Sequence, residues 1–236
     1  MALYRDHGIV LRTHKLGEAD RIVVFVTRDH GKVRAVAKGV RKTRSRFGAR
    51  LEPLSHVALL LYAGRGELDI VSQAEVVDHF RPIREDLDRL ARAGGLLEAV
   101  DQVAREGEAD VRLYQMLLGA LRALAAHDSP VLVGAFYWKL LAHEGLHPVL
   151  DRCVQCEADG PLVAFDPAVG GALCTACRRG SPLSPEALDL LRRILGGQLG
   201  SALNEASSPA GHDVELLATR ALEHHLERRL RSVGVL

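Results

Sequence analysis

The chain has 236 residues, 47% of them hydrophobic and 26% charged, with a net charge of +1. That composition is ordinary for a globular protein, and the length allows one large core or two smaller ones. The best apolar run, Val57 to Ala63, is far shorter than the ~20 residues of a spanning helix, and the first residues lack an apolar signal core. Membrane insertion and export are therefore not expected, and the chain reads as cytoplasmic. Charge is unevenly spread: residues 1–80 carry fourteen Lys/Arg against nine Asp/Glu, whereas 81–236 carry seventeen against twenty-one. A basic front half predicts one surface that meets an anion.

The first eighty residues read as short strands. Gly8 to Thr13 is an apolar run; Ile22, Val24 and Val26 alternate, and so do Val33, Ala35 and Ala37. Asp29-His30-Gly31 and Ala63 to Gly66 are turns. Val57, Leu59 and Leu61 make a fourth strand, and Leu68 to Val76 a fifth. Five short strands in about eighty residues predict a small antiparallel barrel of the OB type, with an SH3-like barrel as the alternative.

From Phe80-Arg81-Pro82 helical spacing takes over. Leu87, Leu90, Ala91 and Gly94 share one face, and Leu113, Leu117, Ala120, Leu121 and Leu124 another. Ser129-Pro130 and Ser184-Pro185 each read as a helix start with a Ser cap. Gly145 and Gly196-Gly197 read as stops. Ser201 to Gly211 reads as a connector, followed by a last amphipathic helix from Val214 to Leu226. No internal repeat or long low-complexity segment is present. The expected fold is thus α+β: an OB-fold barrel over 1–80, a helical domain over 81–150, a cysteine segment over 151–181 and C-terminal helices over 182–236.

Cys153, Cys156, Cys174 and Cys177 form two Cys-x-x-Cys pairs separated by seventeen residues. Two-residue spacing lets both thiolates of a pair reach one ion, and two pairs complete a tetrahedral sulfur site, so one structural Zn²⁺ is expected. Four sulfur ligands leave no open position for catalysis. A redox pair would need only one Cys-x-x-Cys near a βαβ pattern, and two disulfides would need an oxidising compartment. His143-Glu144-Gly145-Leu146-His147 matches the H-E-x-x-H signature of zinc peptidases. That chemistry needs a continuous helix, whereas Gly145 and Pro148 are helix-ending signals, so a chance match is expected. No phosphate-cradling loop and no nucleophile motif occurs, and no enzyme or small-molecule substrate is expected.

Between Lys32 and Arg50 stand Lys32, Arg34, Lys38, Arg41, Lys42, Arg44, Arg46 and Arg50, with no acidic residue among them. Like charges packed together repel unless an anion neutralises them. On a barrel, such a segment predicts binding of the nucleic-acid backbone. Phe47 is its only aromatic residue, so phosphate contacts should dominate over stacking, giving little sequence preference. An RNA-binding regulator would share these features but prefer RNA through its 2′-hydroxyls.

Several segments, in order, resemble the RecO family of bacterial recombination mediators. They are Gly17-Glu18-Ala19-Asp20-Arg21, Thr27 to Lys32, Ala37 to Lys42, Ser45-Arg46, Gly64 to Leu68 and Gln73-Ala74-Glu75. Later come Lys139-Leu140-Leu141, Gly145, Pro148 and the four cysteines. The resemblance implies an N-terminal OB-fold, a helical domain and a zinc segment. It also implies binding of single- and double-stranded DNA, annealing of complementary strands, and DNA repair by homologous recombination in the bacterial cytoplasm at the nucleoid. The implied partners are RecR and the C-terminal tail of single-strand binding protein (SSB), with help in loading RecA onto SSB-coated DNA.

Overall fold

A computed structural model describes residues 2–64, 66–127, 129–204 and 207–232. Arg65 of the expected turn, and Glu205 and Ala206 of the expected connector, lie outside the described residues. The chain forms two compact units: one takes in the residues up to Ala126 together with Ser232, the other His127–Arg231. The division falls after the third helix, a grouping that local sequence patterning did not indicate.

In the first unit, β1 (Leu3–Leu16), β2 (Asp20–Thr27), β3 (Gly31–Ala37), β4 (His56–Tyr62) and β5 (Asp69–Asp78) close into a barrel in the order β1-β2-β3-β5-β4. All pairs are antiparallel except a short parallel contact of Ala35 and Val36 with Asp69 and Ile70. That order is the OB arrangement and decides against the SH3-like alternative. The first strand is far longer than Gly8 to Thr13 because it serves two neighbours. Its Leu3–Ile9 part pairs β4, its Gly8–Leu16 part pairs β2, and an irregularity between Val10 and Arg12 turns the corner. Alternation along the strands puts Val10, Val23, Phe25, Ala35, Leu59, Leu61 and Val71 inside. Phe47 and Leu51 join them from the long β3–β4 loop, which carries a short 3-10 turn at Gly48–Leu51. Their burial pins that loop to the barrel.

Next come α1 (Arg81–Arg84), α2 (Leu87–Val103) and α3 (Val111–Ala126). Asp86 caps α2, accepting from the backbone N–H groups of Asp88 and Arg89. The expected apolar face of α2 is corrected: Leu87 and Leu90 are exposed, and Ala93, Leu96, Leu97 and Val100 are buried instead. The periodic pattern continues past Gly94, and the buried apolar side chains of α2 begin only at Ala93. On α3 the expected residues Leu113, Leu117, Leu121 and Leu124 are buried, while Ala120 is half-buried.

Buried His56 of β4 makes a 2.7 Å hydrogen bond through Nε2 to the Tyr114 hydroxyl of α3. Burial first, then the charges of His7 and Arg122, hold its pKa down at about 4. The unfolded chain, with an ordinary histidine pKa of about 6.5, binds this proton more readily. Stability from His56 is therefore present above pH 6.5 and lost as pH falls from about 6.5 to 4. After allowance for solvent screening the loss is about 1–2 kcal/mol. His56→Gln, which keeps a polar partner for Tyr114, should flatten this part of the stability–pH curve in urea denaturation. An unchanged slope would discard the assignment.

The second unit contains α4 (Leu132–His143), a small sheet in the order β7-β6-β8, and α5 (Pro185–Leu195), α6 (Leu199–Leu203) and α7 (Pro209–Leu226). Its strands are β6 (Leu162–Asp166), β7 (Gly171–Cys174) and β8 (Ser181–Pro182). Trp138, buried on α4, donates its indole N–H to the Val214 carbonyl of α7 at 3.1 Å. Ser184 caps α5 as expected. Two helix starts differ from expectation. Ser129-Pro130 lies in a turn and α4 begins at Leu132, whereas Ser208 caps α7, within the stretch read as connector. A Ser-Pro pair nucleates a helix only where the backbone lets the Ser side chain reach an N–H two or three residues on. No described helix is long and apolar enough to cross a membrane.

Candidate nucleic-acid interface and metal centre

The eight basic residues part into two groups. Lys32 and Arg34 stand on β3, and both are engaged. Lys32 Nζ donates to the Asp101 carbonyl at 2.7 Å and lies 3.7 Å from its carboxylate. Arg12 shares that carboxylate. Arg34 lies 3.5 Å from Glu67 and 3.7 Å from Glu106. The other six, Lys38, Arg41, Lys42, Arg44, Arg46 and Arg50, sit on the β3–β4 loop and are exposed. Among the described residues, no carboxylate comes within ion-pair distance of any of the six.

Backbone carbonyls orient several of these cations without neutralising them. Arg41 donates to the Gly17 carbonyl at 3.2 Å, Arg50 to that of Arg46 at 2.6 Å, and Arg46 to that of Val71 at 3.5 Å. The Arg46 guanidinium also lies 4.7 Å from the ring centroid of Phe47. Phe47 is itself only 2% exposed, so the segment's one aromatic ring is core and offers no stacking platform. The loop is thus an uncompensated positive surface on an anchored base. Such a surface favours a polyanion.

The neutralised face of β3 was invisible to local reasoning. The connector between α2 and α3 runs along its edge. The Lys32 N–H donates to the Arg105 carbonyl at 2.9 Å, and the Gly107 N–H to the Lys32 carbonyl at 3.3 Å. At Gly31 a side chain would collide with this connector, since its Cβ would stand 2.0 Å from the Glu108 carbonyl oxygen. Glu106 reaches Arg34 from here.

The cysteines converge in the second unit. Their four Sγ atoms all lie within 4.8 Å of one another, with Cys156 and Cys174 3.6 Å apart. A tetrahedron with metal–sulfur bonds of about 2.3 Å has sulfur–sulfur edges of about 3.8 Å. A disulfide would need about 2.05 Å, and all four cysteines are free thiols. Local backbone builds the site. Glu157 N–H returns to the Cys153 carbonyl at 2.8 Å, Cys177 N–H to that of Cys174 at 3.2 Å, and Val154 N–H bonds Ala172 of β7 at 2.9 Å. The β6–β7 turn at Gly170 then carries the second pair back to the first.

The thiols also compete for charge. The backbone N–H of Cys174 helps hold Cys153 down at about 6, whereas Cys177, hydrogen-bonded to Cys156, is pushed up to about 12. Four sulfurs this close ionise together only around a cation. Spacing, distances and donor set all fit a divalent metal such as Zn²⁺.

The H-E-x-x-H segment has different geometry. The helix α4 ends at His143, Glu144 is its cap, and Gly145 turns left-handed at φ +85°. Leu146 N–H closes the end onto the Leu141 carbonyl at 2.8 Å and Gly145 N–H onto that of Ala142 at 3.2 Å. His147 therefore lies off the helix and cannot pair with His143 one turn along it. Among the described residues, the only cluster of metal-ligating groups is the four cysteines.

Two family models meet this chain end to end. "Recombination protein O N terminal" matches residues 1–80, and "Recombination protein O C terminal" matches 84–233. The chain belongs to the RecO family. Membership supports a role in DNA repair and recombination and DNA binding through the OB-like barrel. In this RecO chain the four cysteines that could hold a metal ion lie outside the barrel, and the exposed basic loop lies on it.

Proposed function

We propose that this RecO-family protein binds single- and double-stranded DNA without sequence preference, anneals complementary strands, and with RecR helps load RecA onto SSB-coated DNA. One observation carries the reading: six exposed cations without carboxylate partners among the described residues, on a loop anchored in an OB-like barrel. A flexible cationic tail would also attract phosphate. An anchored one can hold two backbones side by side and lower the repulsion that opposes pairing. It works as a binding protein, not an enzyme, in the bacterial cytoplasm at the nucleoid, and its zinc is structural.

The SSB tail is acidic and hydrophobic, and it needs an apolar groove with cationic neighbours. A cleft of about 550 Å³ in the second unit suits its apolar part, lined by Trp138, Leu141, Leu146 and Phe165. Tethering there concentrates the protein where single strands are exposed.

The test is annealing of two complementary oligonucleotides, each coated with SSB. The protein should speed pairing well above the uncatalysed rate. Its affinity for single-stranded DNA should fall with salt at a log–log slope near −4, about 0.7 per phosphate for six cations. Binding without faster annealing would reject the mediator role. A clear preference for RNA in direct competition would redirect it to RNA.

A further inference from the structure

OB-fold barrels present several faces on which a nucleic-acid strand could lie, and this chain closes one of them. The outer face of β3 is covered along its edge by the connector Ala104–Asp110, whose Glu106 pairs Arg34, while Asp101 holds Lys32 and Arg12. A phosphate arriving there would have to displace carboxylates already in place. On the other side of the basic loop, a groove of about 580 Å³ runs between Arg46 and Arg50 and the outer face of β5 at Ser72, Gln73 and Glu75. Both arginines are exposed, held by backbone carbonyls, and have no carboxylate within ion-pair distance among the described residues.

We propose that a single DNA strand lies in this groove, its phosphates on Arg46 and Arg50 and its nucleosides along Ser72 and Gln73, and not on β3. The assignment rests on the DNA-binding reading above and specifies its path. Charge complementarity selects the occupant: the groove wall formed by the loop offers fixed cations to a polyanion. The β5 wall offers small and amide side chains, which accept any base. The flat guanidinium of Arg46, lying over Phe47, presents a rigid cation with one open side. Among the described residues, Glu75 is the one acid lining the groove. It is exposed, so removing its charge leaves the core untouched.

The two acids therefore give opposite forecasts for two paths. With the strand in the groove, Glu75→Lys changes two charges beside the phosphates and tightens binding of a dT oligonucleotide about tenfold at low salt. Glu106→Gln, on the covered face, changes it less than about twofold. Benzoylphenylalanine placed at position 73 crosslinks to the oligonucleotide, and placed at position 106 it does not. The reverse pattern, with Glu106→Gln tightening and position 106 crosslinking, overturns the groove assignment and puts the strand on β3. Unchanged affinity in Glu75→Lys together with no crosslink from position 73 overturns it as well. If the unaltered protein binds the oligonucleotide with no dependence on salt, the DNA-binding reading itself fails. The path could then not be rescued by any substitution.

Discussion

Replacing Cys174 with serine is expected to lower the melting midpoint of the second unit by about 10–20 °C and to reduce zinc from one ion per chain to well below it. Cys174 ends β7, is 6% exposed, and stands 3.6 Å from Cys156, so it links the small sheet to the first cysteine pair. The segment around it is poor in regular structure: 151–161 contains no helix or strand, and β6, β7 and β8 have five, four and two residues. Such a segment has too few ladder hydrogen bonds and too little apolar burial to hold its shape without the ion. Metal binding is then folding free energy, and losing one of four thiolates forfeits several kcal/mol of it. A loss of about 3 kcal/mol corresponds to the stated shift for a unit of this size. DNA binding at room temperature should remain near normal, because the basic loop belongs to the other unit. Calorimetry and metal analysis on the same sample check both halves. Normal zinc content with unaltered melting would show that the four-cysteine centre is misassigned.

Reversing charge at Lys38, Arg41 and Arg44 together should weaken binding of single-stranded DNA at least about 100-fold at low salt. Each residue is exposed and has no carboxylate within ion-pair distance among the described residues, so each is available to a phosphate. Removing three phosphate contacts should also flatten the salt dependence by about 2 in log–log slope. Melting should stay within a few degrees of the unaltered protein, since among the described residues the only side-chain hydrogen bond lost is that of Arg41 to the Gly17 carbonyl. Titrations at several salt concentrations separate the two effects. An unchanged affinity would move the DNA surface off this loop.

Several features of this protein are determined by short stretches of sequence. Two Cys-x-x-Cys pairs define a sulfur site because two-residue spacing and a returning turn are covalent and local facts. Gly145 before His147 and Pro148 ends α4 inside the H-E-x-x-H match for the same kind of reason, since backbone conformation is decided within a few residues. Alternation placed Ala35, Ala37, Leu59 and Leu61 inside a barrel, although on β2 it picked Ile22, Val24 and Val26 whereas the barrel core takes Val23 and Phe25, and no acid within the Lys32–Arg50 run was available to balance it.

The tertiary structure decided what distant segments do to one another. Lys32 and Arg34 belong to the same basic run as Arg46 and Arg50, yet Asp101 and Glu106, about seventy residues away, neutralise the first two and leave the others open. Leu87 and Leu90 have the spacing of a buried face, but both side chains are exposed. Phe47, the only aromatic residue of the basic segment, fills the barrel, which spacing along the chain did not indicate. Burial and charge compensation are pair properties, formed only when the chain closes on itself. Spacing along the chain fixes which chemistry is present, and the fold fixes which of it faces a ligand.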